Sequence, residues 1–377
     1  KTNAQVQAYF LTAPTAITKL WLQAGANGWR MDVAGDASFP AGYWETFRSV
    51  VKATKPDALT VSETWQKDST LLRMLRGDRF DTTMNYRFRD AVLGLLTPQS
   101  FDSKGFADSG QQITPSQFQA RMESQREDYP AAAYTTLMNL LDSHDTERLL
   151  WTLTQGTYDR AGRENPAAMA VGKQRVRLAS LIQFTVPGMP TVYYGDEVGV
   201  TGADDPDDRR AYPWSDLGGS PDMALYQHYQ ALAAARAADP ALTAGDLRFL
   251  LADDAAGTIA YGRNTSSRAA LVALNVSGSP RTLTIPVAGY LPDGTVLTVG
   301  YGVGMPSGQT VTVSGGSVAL TVPALGGAYL RTATIDLAGP AAATLAAPVE
   351  GAGSLALTWS AVSGAAGYDV YVSPVTG

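Results

Sequence analysis

The sequence contains no cysteine, and this absence excludes several kinds of chemistry. Without a thiol the chain has no disulfide, no thiolate metal site and no cysteine nucleophile. Histidine is scarce too, since only His144 and His228 are present. Neither lies in the H-E-x-x-H pattern of a zinc protease, so metalloprotease chemistry has no support in the sequence.

Clustered positive charge and long apolar runs are also missing. The net charge is -6, only 17% of the residues are charged, and no run of lysine and arginine occurs. Nucleic acid and anionic membrane are therefore disfavoured as partners, and a neutral substrate fits better. No stretch is apolar enough over about 20 residues to span a membrane, and residues 1–25 lack the pattern of a signal peptide.

What the sequence does contain is an ordinary globular composition with an alternation of helices and strands. Hydrophobic residues make up 45% of the 377 residues, a length that predicts two or three domains at about 150 residues each. The predicted strands cover residues 28–33, 58–62, 80–85, 134–141 and 190–194. The predicted helices cover residues 12–24, 44–51, 69–76, 87–96, 116–125, 173–184 and 222–238, and residues 154–166 are predicted to form a loop.

Repeated strand–helix units with polar residues at the strand C-termini are typical of a parallel α/β domain. A doubly wound sheet would usually carry a glycine-rich phosphate turn, but neither G-x-G-x-x-G nor a Walker sequence occurs. This favours a (β/α)8 TIM barrel, in which strand C-termini form the active-site face. Only five strands can be counted, so residues 1–240 are predicted to hold the second half of the barrel.

The pattern changes at about residue 241 to short alternating runs, which predict an antiparallel all-β C-terminal domain over residues 241–334. The predicted strands there are residues 258–262, 269–275, 282–287, 295–299, 311–313, 318–322 and 328–332. Residues 335–347 are rich in alanine and proline and are predicted to be a linker. Residues 348–377 contain the start of a small β-sandwich that is too short to close a core.

Two strand ends carry candidate catalytic carboxylates. If residues 28–33 form a strand, Arg30 and Asp32 share one face, and the guanidinium favours the ionised carboxylate that a nucleophile requires. A structural ion pair is the alternative interpretation of these two residues. Glu63 ends the next strand beside Trp65, where partial desolvation would suit a general acid, although a solvated loop glutamate is the alternative.

Two later loops carry candidate substrate-binding residues. His144 and Asp145 follow a predicted strand, and they cannot form a relay with Ser143 because consecutive side chains point in different directions. The other histidine, His228, lies within a predicted helix and is interpreted as a packing or surface residue. Residues 204–210 are dense in charge and precede Tyr-Pro-Trp, which places hydrogen-bonding groups near aromatic rings, although such a run is often only solvated. No convincing metal-ligand set is present.

Three segments, in chain order, resemble the motifs of strands 4, 5 and 7 in the α-amylase superfamily of glycoside hydrolases. They are Gly-Trp-Arg-Met-Asp at 28–32, Val-Ser-Glu-Thr-Trp at 61–65 and Asn-Leu-Leu-Asp-Ser-His-Asp at 139–145. The resemblance implies that Asp32 is the nucleophile with Arg30 as its partner, and that Glu63 is the general acid/base. It further implies that His144 binds substrate hydroxyls and that Asp145 stabilises the transition state.

Residues 75–81, 84–86 and 205–210 are similar to those of the neopullulanase, cyclomaltodextrinase and amylopullulanase group. This similarity implies that Asp205 and Arg209 bind a sugar on the non-reducing side of the cut, and Trp65 is a further candidate for substrate contact. The sequence departs from the group at Gly35-Asp36, where Asn-Glu is usual. The departure leaves bond and acceptor preference open.

The resemblance as a whole implies a retaining α-glucan hydrolase acting on α-1,4, and perhaps α-1,6, bonds of starch, pullulan or cyclodextrins. An α-glucan transglycosylase would use the same residues, and a non-catalytic glycan-binding subunit is the alternative from another class. The presence of all three carboxylates argues against that last alternative.

The resemblance also predicts further barrel strands, the absence of a cofactor requirement and the nature of the tail. The five strands correspond to strands 4 to 8, so strands 1 to 3 are expected before residue 1, in the same protein or in a separate chain. The chemistry needs no cofactor, and a structural calcium would take ligands mostly upstream of residue 1. The tail from Pro348 resembles the first strands of a fibronectin type III domain, which implies a secreted enzyme.

Overall fold

The first part of the chain is built on five short parallel strands. The computed structural model describes residues 1–105, 109–337, 343–351, 354–362, 368 and 370. The strands are β1 (Gly28–Met31), β2 (Leu59–Ser62), β3 (Thr82–Thr83), β4 (Met138–Leu140) and β5 (Met189–Thr191). β1, β2 and β3 pair in parallel, β4 pairs with β5 in parallel, and a parallel bridge between Met84 and Met138 joins the two groups. The strands therefore lie side by side in chain order, as the α/β alternation predicts.

Helices separate the strands and cover the outer face. They are α1 (Ala4–Gln7), α2 (Ile17–Gln23), α3 (Tyr43–Thr54), α4 (Ser69–Met74), α5 (Tyr86–Leu96), α6 (Pro115–Asp128), α7 (Ala131–Tyr134), α8 (Leu149–Leu153), α9 (Arg160–Arg163), α10 (Pro166–Thr185) and α11 (Met223–Ala238). Capping fixes where the long ones begin: the Asn165 side chain accepts from the backbone N–H groups of Ala167 and Ala168, and Pro166 occupies the first turn. In the same way the side chain of Asp222 accepts from Leu225 at the start of α11.

Several predicted boundaries are wrong, and three of them have a clear local cause. The first long helix begins at Ile17 and not at residue 12, because residues 8–12 form a separate π-helical turn. The strand predicted over 134–141 is only Met138–Leu140, because the alanines before it favour the helix α7. The predicted loop 154–166 contains α9, whose N-cap is the side chain of Asp159.

The second part of the chain is an antiparallel β structure that follows α12 (Pro240–Ala244). Its strands are β6 (Asp246–Asp253), β7 (Thr258–Asn264), β8 (Ala269–Asn275), β9 (Arg281–Pro286), β10 (Val296–Val303), β11 (Thr310–Thr312), β12 (Ser317–Val322) and β13 (Gly326–Thr332). Six of them form one sheet in the order β11-β10-β13-β8-β7-β6, and β9 pairs with β12. One face of this sheet packs on α10, and the other packs on β9 and β12. Every residue of β8 is buried for that reason.

β6 is a strand that the sequence patterns did not predict. Its pairing with β7 shifts register between Phe249 and Leu251. A bulge of this kind adds a residue and breaks the alternation of apolar and polar positions by which strands are recognised.

The tail contains β14 (Val349–Gly351) and β15 (Ser354–Ala356), which form an antiparallel hairpin. A bridge joins Leu345 to Trp359. Residues 363–377, over which the predicted β-sandwich would continue, lie outside the described residues except for residues 368 and 370. In the part of the chain that the structure describes, no helix is long and apolar enough to cross a membrane.

Candidate active site

The site begins where β1 and β2 end. Their parallel register pairs Gly28 with Leu59 and Met31 with Ser62. Asp32 and Glu63 each follow the last residue of their strand, and the backbone N–H of Glu63 still donates to the carbonyl of Met31 at 3.0 Å. The two candidate carboxylates therefore leave adjacent strands at the same edge of the sheet.

A single guanidinium contacts both carboxylates. Nη1 of Arg30 lies 2.8 Å from Oδ1 of Asp32, and Nη2 lies 2.6 Å from Oε1 of Glu63. The Asp32 side chain is 75% exposed, whereas the Glu63 side chain is only 2% exposed. The predicted contact of Arg30 with Asp32 is confirmed, and the contact with Glu63 is an addition. One carboxylate is thus open to an incoming ligand, and the other is enclosed.

The second carboxylate oxygen of Glu63 is held by the backbone. Oε2 accepts a hydrogen bond from the N–H of Val33 at 2.7 Å. Val33 has φ 41°, a left-handed conformation that is unusual for a β-branched residue. Both oxygens of Glu63 therefore contact the β1 segment, Oε1 through the ion pair with Arg30 and Oε2 through the hydrogen bond from this left-handed turn.

Tyr86, at the start of α5, connects Glu63 with the segment that follows β4. Its side chain is buried and hydrogen-bonds to Ser143. Burial, together with the negative charges of Glu63 and Asp145, raises the pKa of the Tyr86 hydroxyl well above its usual range, although the Ser143 bond opposes the shift. The ring of Trp65 stacks on the ring of Tyr86, with centroids 4.0 Å apart and an interplanar angle of 22°.

The predicted substrate-binding residues gather around Asp145. Nε2 of His144 lies 3.2 Å from Oδ2 of Asp145, and both side chains are partly exposed. Nη2 of Arg209 approaches Oδ1 of Asp145 at 3.8 Å, while its Nε lies 2.8 Å from Asp205. The charged loop thus reaches the segment that follows β4. The eight predicted site residues form two groups, one around Arg30 and one around Asp145, and Tyr86 interacts electrostatically with Glu63 of the first group and Asp145 of the second.

His228 lies elsewhere, as its interpretation as a packing residue requires. It is buried, with Nε2 2.7 Å from the Ser180 hydroxyl and Nδ1 2.6 Å from the hydroxyl of Tyr301. Among the described residues no group of three or more histidine, aspartate or glutamate side chains is arranged to hold a metal ion.

The sequence patterns missed a group of buried charges beneath this surface. Each of these side chains is at most 5% exposed: Arg89, Asp142, Glu147, Arg148, Asp196 and Asp208. Charged side chains are rarely buried in this way unless they are paired. The charged pair Glu147-Arg148, separated from the Asp145 motif by Thr146 alone, was the available signal, but one sequence does not reveal burial.

Comparison with known proteins identifies the family. A model described as "Alpha amylase, catalytic domain" matches residues 2–220. An amylopullulanase of Thermoanaerobacterium saccharolyticum is 34% identical over 98% of this chain and 29% of its own length. A Bacillus cyclomaltodextrinase is 36% identical over 74% of this chain and 44% of its own length.

Solved structures agree with this assignment. A cyclomaltodextrinase structure superposes with TM-score 0.69 and 32% identity, covering 88% of this chain and 49% of its own. The native debranching enzyme of Nostoc punctiforme gives TM-score 0.70 and 28% identity, covering 87% of this chain and 62% of its own. The chain spans less than half the length of the amylopullulanase and the cyclomaltodextrinases named above. It belongs to the α-amylase family, and its first part is a catalytic domain of the TIM-barrel fold family.

Proposed function

We propose that this chain carries the catalytic carboxylates of a retaining α-glucan hydrolase, which cleaves α-1,4 and also α-1,6 bonds of starch, pullulan or cyclodextrins. The single observation that carries the proposal is the Arg30 guanidinium in contact with both Asp32 and Glu63. Retaining glycosidases need two carboxylates about 5 Å apart, and one planar guanidinium holds a pair at that scale.

The exposure of the two carboxylates supports distinct roles. Asp32 is open and lies against the Arg30 guanidinium, so it attacks the anomeric carbon and forms a glycosyl-enzyme. Glu63 is enclosed, protonates the leaving oxygen and then activates the water that releases the sugar. Asp145 holds ring hydroxyls as positive charge develops on the sugar, and Arg209 with Asp205 binds the next sugar unit.

The substrate class is supported by the named relatives, which include amylopullulanases, a cyclomaltodextrinase and a neopullulanase from Thermoactinomyces vulgaris. Trp65 stacked on Tyr86 adds an aromatic surface of the kind that sugar rings pack on. The chemistry needs no cofactor. Structural calcium, secretion and a fibronectin type III-like tail rest on the family resemblance alone.

We also propose that a further half-barrel completes the (β/α)8 fold. In the part of the chain that the structure describes, β1 pairs only with β2 and β5 pairs only with β4. Such open edges are a liability in a sheet, and a barrel removes them. Large apolar side chains near β1 are exposed as well: Val6, Tyr9, Phe10, Leu20 and Trp21. Strands 1 to 3, from the same protein or from a partner, would cover both features.

The experiment compares hydrolysis of starch, pullulan and β-cyclodextrin by the full-length protein and its variants. Asp32→Ala and Glu63→Gln are expected to lose at least about 10³-fold in kcat. Asp57→Asn, an exposed carboxylate just before β2, is the matched control and should retain activity. Full activity in either site variant would refute the assignment. Longer products from maltotriose would indicate a transglycosylase, and glucan binding without turnover would indicate a binding subunit.

A further inference from the structure

Arg148 lies beneath the sugar-binding surface and connects three segments. Its side chain is fully buried. Nε donates to the carbonyl of Asp208 at 2.6 Å, and Nη1 donates to the carbonyl of Tyr194 at 2.5 Å. The guanidinium carbon lies 3.9 Å from the centre of the Tyr193 ring. One side chain thus binds the segment after β4, the segment after β5 and the charged loop.

These connections lie directly under the candidate sugar contacts. Asp208, whose carbonyl Arg148 holds, precedes Arg209, and the backbone N–H of Arg148 donates to the carbonyl of Gly202 at 3.1 Å. At the other end of the segment, Oδ2 of Asp142 accepts from the N–H of Leu149 at 2.8 Å. The approach of Arg209 to Asp145 at the surface is therefore set by the contacts of Arg148 below it.

Arg148 in turn faces a pair of buried carboxyl groups. Nη1 lies 3.7 Å from Oδ1 of Asp196, and Asp196 hydrogen-bonds to Asp142. Oδ1 of each carboxyl is buried without any N–H or O–H donor among the described residues, and a proton held by the pair would supply a donor that is otherwise missing. Burial, followed by the charge of Asp142, raises the pKa of Asp196 well above its usual range. Two like carboxyls at one site normally hold a single proton.

We propose that Arg148 is a positioning residue which, held by the carboxyl pair of Asp142 and Asp196, fixes Asp145 against the loop that carries Asp205 and Arg209. The inference rests on the proposed function, because it assigns a purpose to the placement of those sugar contacts. An arginine is required for geometric reasons. A lysine would keep the charge but could not donate in two fixed directions and stack on a tyrosine ring at once.

The first test compares Arg148→Lys with Arg163→Lys in the full-length protein. Arg163 is an equally buried arginine, but it donates to the carbonyls of Trp151 and Thr154, away from the sugar contacts. Arg148→Lys should lose about 10- to 100-fold in kcat/KM for maltotriose, whereas Arg163→Lys should stay within about threefold for the folded fraction. Equal losses in the two variants would overturn the proposal.

A binding measurement separates this proposal from the hydrolase assignment. Calorimetric titration with maltotriose needs no turnover, and the Arg148→Lys variant should bind at least about tenfold more weakly than Arg163→Lys. If the wild type binds maltotriose without hydrolysing it, the hydrolase assignment fails and the positioning role is still tested. If the wild type hydrolyses maltotriose but both variants bind it equally, the positioning role fails alone.

The second test uses Asp196→Asn and Asp196→Ala. It tests the positioning role of Arg148 even if the Arg148→Lys variant does not fold. The amide can donate to Asp142 as the shared proton does, so Asp196→Asn should keep activity near neutral pH and Asp196→Ala should lose it. One pH unit above the alkaline midpoint, wild-type activity should have fallen about tenfold while Asp196→Asn has fallen less than about twofold. Identical pH profiles, or equal loss in both variants, would contradict the proposal. The other ionisable groups facing the pair are Arg89, Arg148, Glu197 and Tyr229.

Discussion

Arg30 and Glu63 are in direct contact across adjacent parallel strands, with Nη2 of the guanidinium 2.6 Å from Oε1 of the carboxylate. Because the same guanidinium also binds Asp32, the spacing of the two candidate catalytic carboxylates is set by one side chain. A residue in this position does more than pair with the proposed nucleophile, since it also orients the proposed acid/base relative to it.

This geometry predicts that Arg30→Lys abolishes most activity. A lysine presents one point charge and cannot hold two carboxylates at a fixed spacing. We expect kcat to fall by about 10²- to 10³-fold, which is typical when one oriented donor is lost from an active site. Arg73→Lys is the control, because Arg73 forms an ion pair with Asp78 near the surface and should change kcat by less than about twofold. Near-normal turnover by Arg30→Lys would contradict the account.

The close approach of β1 to β2 predicts a second effect, at Gly28. A Cβ added there would collide with the backbone carbonyl of Leu59, to which Gly28 is registered. Gly28→Ala should therefore displace β1, move Asp32 away from Glu63 and lower both the melting temperature and kcat. Gly278→Ala, where the added Cβ meets nothing within 4 Å, should change neither. Thermal melting and starch hydrolysis measure the two effects, and identical behaviour of the variants would refute this role.

The buried hydroxyl of Tyr86 leads to a prediction about catalytic efficiency. Tyr86→Phe keeps the stack with Trp65 but removes the hydroxyl that hydrogen-bonds to Ser143 near Glu63 and Asp145. We expect kcat/KM to fall about tenfold with little change in melting temperature. Tyr261→Phe, which removes a buried hydroxyl bonded to Thr185 between the two parts of the chain, should instead lower stability and leave kcat/KM unchanged. The reverse pattern would show that the Tyr86 hydroxyl has only a structural role.

The buried position of His228 predicts how the free energy of unfolding depends on pH. Burial, with a smaller contribution from the charge of Arg177, lowers the pKa of His228 to about 3, whereas the unfolded chain titrates near 6.5. The unfolded state therefore binds a proton that the native state does not over this range. The stabilisation is present above about pH 6.5 and is lost as the pH falls toward 3, at up to about 1.4 kcal/mol per pH unit.

The measurement is urea denaturation between pH 7 and pH 4.5. The free energy of unfolding of His228→Gln should fall less steeply with acid than that of the wild type, although the variant starts from a lower value at pH 7. Parallel curves would contradict the assignment of this acid sensitivity to His228.

Sequence patterns predicted the helices and strands in which apolar and polar residues alternate with a regular local period. Arg30 and Asp32 share a face because strand side chains alternate, and Gly28 and the capping Asp222 mark the start of their elements. β6 was missed because its bulge at Phe249–Leu251 breaks that periodicity. The two-residue strand β3 shows that the length of a pattern does not fix the length of a strand.

In the candidate site, too, some residues could be predicted from the sequence and others could not. Asp32, Glu63 and Asp145 could be predicted because each follows a strand, and strand C-termini converge in such domains. Arg148 and Asp196 could not, since their importance comes from burial and from contacts between segments distant in sequence. The contact of Val33 with Glu63 was also hidden, because nothing in the sequence indicates the left-handed backbone at that valine.

Asp32 is proposed to attack the sugar, and trapping the glycosyl-enzyme tests this role most directly. The full-length protein would be incubated with 5-fluoro-α-glucosyl fluoride, digested with protease and analysed by mass spectrometry. We expect a single glycosylated peptide with the sugar on the carboxylate of Asp32, and no label in Asp32→Ala. A sugar attached to Glu63 or Asp145, or unchanged labelling in Asp32→Ala, would contradict it.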